Sequence, residues 1–246
     1  DAGHEVKLKQ LARRCRPPRP GMTDKNRALL RHLDDPDTLQ RLLTLPARLT
    51  KDLKGEQHLS VYWARRMAMA LAIELLLVAP IRLRNLASLD LERHFVRIGS
   101  GPAARMHLWL PAREVKNKMD LEFPLPRETA ALLRSYLAKA RPVLAPGFTG
   151  TALFVDVQGP RNATALGRAL SRLVAQEVGI RISTHQFRHL AGHLYLRQHP
   201  AGHEVVRALL GHRSIATTVR FYAGMQGIAA ARAYDAAVLQ YRHDQR

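Results

Sequence analysis

The amino-acid sequence predicts an α+β fold: a mostly α-helical domain with one small antiparallel β-sheet. Apolar residues recur at helical spacing along much of the chain, and the stretch Val61–Val78 is apolar enough to form a buried helix. Segments with strand character are few and lie close together, between residues 95 and 123. Hydrophobic residues make up 46% of the 246 residues, which is enough to build a sizeable core.

The first 55 residues differ in composition from the rest. Residues 1–21 are basic and proline-rich and end in RPPRPG, which is typical of an arm or linker. Residues 22–55 are predicted to be an annex of short helices, divided by the Asp-Pro turn at 35–36 and by Pro46. These helices are predicted at 23–33, 37–45 and 47–53. Residues 56–246 then form the main domain.

The main domain is predicted to open with the helix Val61–Val78, which Pro80 stops. A short amphipathic segment follows, with leucines at three-residue spacing from Leu83 to Leu89. Three strands are predicted at 95–98, 106–110 and 121–123, and the polar residues 116–120 form the tip of the hairpin between the last two. Further helices are predicted at 127–140, 164–178, 184–198, 203–210, 214–222 and 228–242.

The charge balance points to a polyanionic partner. The 39 Lys and Arg residues against 20 Asp and Glu residues give a formal net charge of +19. Nucleic acid is the expected polyanion, because basic side chains displace condensed counterions from phosphates. A merely soluble basic surface is the alternative. A membrane-binding lobe fits less well, since the charges are spread along the chain.

Cysteine content and hydropathy bear on the compartment of the protein and on whether it spans a membrane. Cys15 is the only cysteine, so an intramolecular disulfide is impossible, which fits a reducing cytoplasm. With a nucleic-acid partner, we expect a cytoplasmic, nucleoid-associated protein. The longest apolar run, residues 67–80, is too short to span a bilayer and carries Glu74, so no membrane partner is expected. The chain starts at Asp1 without a signal peptide, and we expect it to be a piece of a longer protein.

Two local features combine cationic side chains in places that suit a phosphate. Arg82 lies between the apolar helix and the next helical segment, where its guanidinium can bind a phosphate or bridge loops structurally. His185 and Arg188 are three residues apart and share a helix face. Thr184 precedes them as the expected N-cap, at a helix end that attracts anions.

Two further features lie in predicted turns. Gly211 is expected to end a helix and leave His212 in the following turn, although an ordinary helix-turn-helix explains the same pattern. Lys116 and Lys118 lie at the predicted hairpin tip, from which a lysine can reach a neighbouring cleft or simply point into solvent. Each of these features is weak by itself.

The histidines of the predicted 184–198 helix allow a different interpretation. His185, His189 and His193 follow at intervals of four residues, a spacing that suits a transition metal. The nearby sequence offers few carboxylates or thiols to complete such a site, so we expect no metal and no cofactor. Enclosure in the core is the simpler explanation of His189 and His193.

In their order along the chain, these features resemble the tyrosine recombinase family, also called the phage integrase family. Its pattern has an arginine that starts an R-x-x-E-L-type helix, a hairpin lysine, H-x-x-R, L-G-H and a tyrosine. The match covers about residues 56–240 and runs through Arg82, Lys116, His185, Arg188, His212, Thr217-Thr218 and Tyr222. The resemblance implies a tyrosine recombinase-like catalytic domain over residues 56–246, with a C-terminal helix at about 228–242.

The resemblance implies a site-specific DNA recombinase or integrase that cuts and rejoins strands through a 3′-phosphotyrosyl intermediate. Tyr222 would be the covalent nucleophile, and Arg82 and Arg188 would clamp the scissile phosphate against developing negative charge. Such an enzyme needs no metal or nucleotide, because the covalent link conserves the phosphodiester energy.

The remaining residues of the pattern would move protons or hold the phosphate. His212 would donate a hydrogen bond to the phosphate, and Lys116 would protonate the departing 5′-oxygen. His185 would assist proton transfer at the tyrosine or orient the phosphate.

Two positions depart from the family pattern. Three residues after Arg82 the family usually has Glu or Asp, whereas this chain has Asn85, which we expect to hold an active-site Arg or His by hydrogen bonds. The usual nucleophile position, nine residues after the L-G-H histidine, is Phe221, so Tyr222 comes one residue late. One residue turns a helical side chain by about 100°. We favour an extra residue in the turn. Otherwise Tyr222 points elsewhere and cannot cleave.

These departures keep two other functions open. A catalytically silent DNA-binding module of the same fold would bind DNA without forming an adduct, and a type IB topoisomerase-like enzyme would relax plasmid without a specific site. In the family, the C-terminal helix docks on a neighbouring protomer. Residues 228–242 are therefore expected either to contact other protomers, in a tetrameric synapse on DNA, or to pack on their own domain.

Overall fold

The computed structural model describes residues 3–6, 8, 21–51, 60–101 and 104–243. Most of the predicted arm, residues 1–21, lies outside the described residues, and residues 3–6 are helical. The predicted fold class is confirmed, because helices dominate the described chain and a three-stranded antiparallel sheet interrupts them.

The predicted annex contributes to the core of the main domain. Its helices are α1 (Asp24–His32), α2 (Pro36–Leu43) and α3 (Leu45–Thr50). Thr23 and Asp35 cap the first two, since their side chains accept hydrogen bonds from backbone amides three residues on. Five leucines from this region are buried in the same hydrophobic cluster as the later helices: Leu30, Leu33, Leu42, Leu45 and Leu49. The predicted boundary at residues 55 and 56 lies outside the described residues.

The central element is α4 (Val61–Val78), which begins after the N-cap Ser60. Residues 67–73 are all buried, so two full turns of this helix are enclosed on every side. Pro80 ends it as predicted, and the chain turns sharply there, with the Ile81 amide donating to the Ala79 carbonyl at 2.6 Å. Two short helices follow, α5 (Leu83–Ala87) and α6 (Leu91–His94), of which the sequence had predicted only the first.

The three predicted strands are present to within one residue at each end. They are β1 (Phe95–Ile98), β2 (Arg105–Leu110) and β3 (Leu121–Pro124), paired antiparallel in the order β1-β2-β3. Leu108 and Leu110 of β2 face Phe123 and Leu121 of β3, and all four are buried. This register fixes the ends of the connecting loop, residues 111–120, which carries Lys116.

The helix predicted at 127–140 is longer and less regular than expected. α7 (Arg127–Ser135) passes through a π-helical turn, Tyr136–Ala140, into α8 (Arg141–Leu144). Two short strands that the sequence did not indicate, β4 (Val155–Asp156) and β5 (Gly159–Pro160), form a separate pair. Next comes α9 (Ala163–Val178), which ends at Gly179 in the left-handed conformation with φ of 87°.

The last three helices are α10 (Thr184–Gln198), α11 (His203–Leu210) and α12 (Ile215–His243). The first two match their predicted bounds. The prediction of separate helices at 214–222 and 228–242 is wrong, because α12 runs without a break through Gly224 and Gly227. A glycine inside a helix costs only about 1 kcal/mol relative to alanine, which neighbouring turns can offset.

Across the described residues, no helix is both long and apolar enough to cross a bilayer.

Candidate active site

The start of α10 places the His-x-x-Arg pair. The N-cap is Ser183, so the prediction of Thr184 as N-cap is wrong by one residue. The Gln186 side chain, three residues after the cap, accepts a hydrogen bond from the Ser183 amide at 2.8 Å, and this local pairing selects the serine. The Gln186 amide also donates to Asn26 of α1 at 3.0 Å, which ties the helix start to the annex.

Arg188 is the most enclosed charged group of the site, with 3% of its surface exposed. Its two terminal nitrogens donate to the backbone carbonyls of Pro80 and Leu210. One side chain therefore links the segment that leads to Arg82 with the segment that leads to His212. Burial, helped by the charge of Arg82, lowers the pKa of Arg188 to about 10, so the guanidinium stays protonated at neutral pH.

Arg82 is the N-cap residue of α5, and its partly buried guanidinium has a pKa lowered by desolvation. It borders a surface cavity of about 640 Å³. The lining residues are Arg82, Arg84, Asn85, Ser88, Arg113, Glu114, Lys116 and Lys118. Five of the eight are basic, and the one carboxylate, Glu114, is already bound by Arg93 at 3.2 Å and His94 at 2.9 Å. The cavity is therefore strongly cationic.

Asn85 supports the lysine loop. Its side chain is buried, and its amide nitrogen donates to the backbone carbonyl of Glu114 at 3.0 Å, two residues before Lys116. The expectation that Asn85 holds an active-site Arg or His is thereby corrected. A carbonyl needs a donor as its partner, and an amide supplies one where an ionised carboxylate could not.

His185 is exposed at the start of α10. Its pKa is lowered first by desolvation and then by the positive charges of Arg188, Arg82 and Lys116. Groups that perturb one another in this way are close in space. An imidazole surrounded by cations stays neutral near pH 7 and is free to accept a proton.

His212 lies in the turn after Gly211, as predicted. Gly211 adopts the left-handed conformation, φ 59° and ψ 41°, and ends α11. The Nδ1 atom of His212 is 3.0 Å from the hydroxyl oxygen of the fully buried Thr218. Desolvation, followed by the charges of Arg188, Arg82 and His185, lowers the pKa of His212 to about 4. If the neutral ring accepts from Thr218 at Nδ1, its Nε2 carries the hydrogen and is a donor.

Of the predicted site residues, Arg82 and Lys116 line the cationic cavity, and Tyr222 is the most deeply enclosed. It is 1% exposed, and its hydroxyl donates to the backbone carbonyl of Arg188 at 3.3 Å, beneath α10. The oxygen lies against Gly192, where a Cβ atom would come within 2.2 Å of it. Burial raises the pKa of the phenol well above its usual range, although the charge of Arg188 opposes this.

Phe221 occupies the side of α12 that faces the histidines. Its ring centroid lies 5.5 Å from that of His189 and 6.4 Å from that of His212. His189 is buried, and its Nε2 atom has no hydrogen-bond partner among the described residues. Desolvation, then the charges of His185, Arg188 and His212, lowers the pKa of His189 to about 4.

The histidines of α10 are divided between two surroundings. The rings of His185 and His189 meet edge to face at 4.9 Å, whereas His193 bonds to Asp34 of the α1–α2 turn at 2.9 Å. Over the part of the chain that the structure describes, no three His, Cys, Asp or Glu side chains are grouped to hold a metal ion.

Residues 55–226, which include Arg82, Lys116, His185, Arg188, His212 and Tyr222, match the sequence model of the Phage integrase family. The chain belongs to this family. The matched segment extends from before α4 into the first turns of α12, so both the sheet and the region around Tyr222 belong to the phage integrase pattern.

Curated members of the family are similar over most of this chain. Tyrosine recombinase XerD of Proteus mirabilis is 30% identical over 199 residues, which are 75% of this chain and 58% of that protein. XerD of Neisseria meningitidis serogroup A is 28% identical over 187 residues, 73% of this chain and 54% of that protein. The chain thus spans a little over half the length of the curated relatives it matches.

Solved structures show the same fold. A post-cleavage complex of the XerH site-specific recombinase with a palindromic difH substrate aligns with a TM-score of 0.58 and 17% identity, over 80% of this chain and 52% of that one. The XerA recombinase aligns with a TM-score of 0.50 and 17% identity, over 88% of this chain and 65% of that one. The chain thus shares the overall fold of these recombinases.

Proposed function

We propose that this phage integrase family member is the catalytic part of a site-specific DNA recombinase, which cuts and rejoins strands through a 3′-phosphotyrosyl intermediate. The observation that supports the proposal is that Arg188 donates to the carbonyls of Pro80 and Leu210, which lie two residues before Arg82 and two residues before His212, so that Arg82, Arg188 and His212 belong to one connected site. A scissile phosphate supplies the negative charge that this site lacks. The recombinases among its relatives favour this function over a topoisomerase or a silent binding module.

The proposed cleavage step balances within the site. The Tyr222 oxygen attacks phosphorus while the bond from phosphorus to the 5′-oxygen breaks, and the electron pair of that bond stays on the 5′-oxygen. Lys116 gives this oxygen a proton, and the neutral His185 takes the phenolic proton. Rejoining is the reverse reaction with a 5′-hydroxyl from another strand.

The phosphate would be held by groups of fixed position. Arg188 donates two hydrogen bonds to backbone carbonyls. Its other N–H groups, together with those of Arg82, would donate to the non-bridging oxygens. His212 would add a neutral donor from Nε2, since Thr218 occupies its Nδ1. Preorganised donors of this kind stabilise charge that develops in the transition state.

Tyr222 must leave its buried position before it can react. Its hydroxyl is held by one hydrogen bond, to the Arg188 carbonyl, and Phe221 lies on the side of α12 that faces His189 and His212. A rotation of about one residue, roughly 100°, at the start of α12 would exchange the two side chains. We propose that DNA binding drives this exchange.

Double-stranded DNA and further protomers are the proposed partners, which would place the protein with the nucleoid. The net charge of +19 suits binding to many phosphates. Contact with 6–10 phosphates would weaken binding by roughly 10³–10⁵ between 50 and 200 mM salt. The far part of α12 exposes Tyr234 and Leu239, and we propose this end as the contact between protomers of a tetrameric synapse.

The test uses nicked duplexes of random sequence, in which cleavage releases a short 5′-hydroxyl strand that diffuses away and leaves the protein covalently bound. Labelled adducts are recovered on denaturing gels and enriched over several rounds. Wild-type protein should yield an adduct that requires a preferred sequence. Tyr222→Phe should yield none, and Tyr62→Phe, at an exposed tyrosine on α4, should behave as wild type.

Three outcomes would contradict the proposal. Adduct at the wild-type level with Tyr222→Phe would refute Tyr222 as nucleophile. DNA binding without any wild-type adduct would indicate a silent binding module. Relaxation of plasmid irrespective of sequence would indicate a type IB topoisomerase-like activity.

A further inference from the structure

One residue joins the loop that carries Lys116 to the turn that carries His212. The Asn117 side-chain amide donates to the backbone carbonyl of Gly211, and the Arg213 Nε donates to the backbone carbonyl of Asn117 at 2.8 Å. The residues on either side of His212 are thus both bonded to the residue that follows Lys116. These contacts span 94 and 96 positions of sequence, so they are purely tertiary.

The loop is also fixed on the other side of Lys116. Val115 is buried, and the carbonyl of Glu114 accepts the hydrogen bond from Asn85. Lys116 itself is exposed. Its backbone is therefore held from both directions while its side chain is left free to reach into the site.

The His212 turn is equally well held. The Arg207 guanidinium donates to the His212 carbonyl at 3.0 Å, and the His212 amide donates to the Arg207 carbonyl at 2.9 Å. Leu121, at the start of β3, lies against Gly211, where a Cβ atom would come within 2.8 Å of its side chain. Asn117 thus connects two stiff segments, and removing it would let them move independently.

We infer that Asn117 is a positioning residue that sets the place of Lys116 relative to His212, and so relative to the 5′-oxygen of a phosphate held by His212. This inference rests on the proposed function. A general acid contributes roughly 10²–10⁴-fold to rate. A displacement of about 1 Å can cost on the order of 10²-fold. Loss of Asn117 should therefore act mainly on proton delivery.

A substrate with sulfur in place of the 5′-bridging oxygen separates this role from a general loss of structure. A departing alkoxide must be protonated, whereas a thiolate, whose conjugate acid has a pKa of about 8.5, leaves without a proton. A defect in proton delivery disappears on the sulfur substrate. A defect in phosphate binding or in folding persists.

The experiment compares single-turnover cleavage of the two substrates, built on a duplex that wild-type protein cleaves. Asn117→Ala and the isosteric Asn117→Asp, which lacks the donor, should slow cleavage of the oxygen substrate by roughly 10–100-fold. On the sulfur substrate both should return to within about threefold of wild type, as should Lys116→Ala. Arg188→Ala should stay slow on both, and Gln158→Ala, an exposed amide in the β4–β5 turn, should match wild type.

Each result has one meaning. Wild-type cleavage of the oxygen substrate by Asn117→Ala, or an Asn117→Ala defect that persists on the sulfur substrate, overturns the inference and leaves the proposed function intact. Failure of the sulfur substrate to rescue Lys116→Ala refutes Lys116 as general acid. Absence of any wild-type adduct refutes the proposed function before a variant is compared.

Discussion

The groups that would hold the phosphate and the residue that would attack it are neighbours in this protein, but they are secured very differently. Arg188 bridges two backbone carbonyls, and His212 is bonded through its ring and through both backbone groups. Tyr222 has one hydrogen bond of 3.3 Å, to the Arg188 carbonyl, and its side chain is buried. Under the proposed function, the binding half of the site would be assembled before DNA arrives, and the attacking half would not.

This difference assigns separate tasks to the two halves. A preorganised phosphate site lowers the barrier to chemistry, because its donors need no rearrangement when charge develops. The position of Tyr222 would then decide whether chemistry begins. Changes on the α10 side should therefore alter the rate of the step itself, whereas changes at the start of α12 should alter the fraction of molecules able to take it.

The largest expected effect comes from breaking the binding half at Arg188. Arg188→Ala should reduce cleavage by about 10³-fold or more, because it removes a cation from the phosphate and leaves two carbonyls without their donor. Arg188→Lys should recover little, since an ammonium cannot bridge both carbonyls as a planar fork does. Single-turnover assays check this, with DNA affinity measured in parallel. Affinity should fall only slightly, and cleavage within about tenfold of wild type would contradict the prediction.

A smaller effect should appear in the dependence of stability on pH. His189 and His212 have folded-state pKa values of about 4, below the value of about 6.5 in an unfolded chain. The unfolded state therefore binds more protons between those values, and the free energy of unfolding should fall as the pH drops from about 6.5 to about 4.

His189→Phe isolates one of these contributions. Urea unfolding at pH 7 and pH 5 should show that the variant loses less stability than wild type between the two, by an amount on the order of 2 kcal/mol. The phenyl ring suits the apolar contact with Phe221 and cannot titrate. An unchanged pH dependence would show that His189 is accessible to protons in the folded state.

The buried position of Tyr222 can be tested by adding a side chain at Gly192, which faces its hydroxyl. Gly192→Ala should push the phenol out of its niche, destabilise the fold by about 1–3 kcal/mol, and return the Tyr222 pKa toward its usual value. Absorbance titration of the phenols, with Tyr222→Phe for assignment, checks this. Gly202→Ala is the matched control: its Cβ would come within 2.5 Å of Tyr195, so it should destabilise without changing the Tyr222 titration.

The smallest expected effect concerns the contact between the annex and α10. Asp34 bonds to His193 at 2.9 Å and to Arg197 at 3.3 Å, and its side chain is partly exposed. Asp34→Asn should reduce the free energy of unfolding by about 1 kcal/mol or less, and less still at high salt. Asp24→Asn, which breaks a solvent-exposed pair with Arg27, should cause no measurable change. Equal effects of the two variants would show that the annex contact does not stabilise α10.

Local signals were enough to predict the elements that build the site. Gly211 ends α11 as predicted, and α10 and α11 match their predicted bounds, although the cap of α10 is Ser183 with Gln186 and not the predicted Thr184. Five candidate site residues could be named because they occur in the order of the family motif: Arg82, Lys116, His185, Arg188 and His212. The strands around the lysine loop followed from their alternation and spacing.

Other features depend on partners far away in sequence and could not be predicted. Asn85 was expected to hold an active-site Arg or His, but its partner is a carbonyl of the lysine loop. Asn117 carried no motif, and its role is visible only when β2 and β3 bring it to Gly211. The direction of Tyr222 depends on the missing side chain of Gly192, and helix periodicity alone cannot give it.

The enclosure of the Tyr222 hydroxyl between the Arg188 carbonyl and Gly192 would have a consequence for the fidelity of site choice. A cell offers a recombinase vast numbers of wrong duplexes, and every one of them carries phosphates that Arg82 and Arg188 can attract. A hydroxyl engaged with the Arg188 carbonyl cannot attack any of them. Wrong duplexes would be bound and released intact, unless they stay long enough for the start of α12 to turn. Discrimination between sites would then depend more on how long the protein stays on a duplex than on its affinity for that duplex. Gly192, which leaves room for the buried Tyr222 hydroxyl, would help to set the time required.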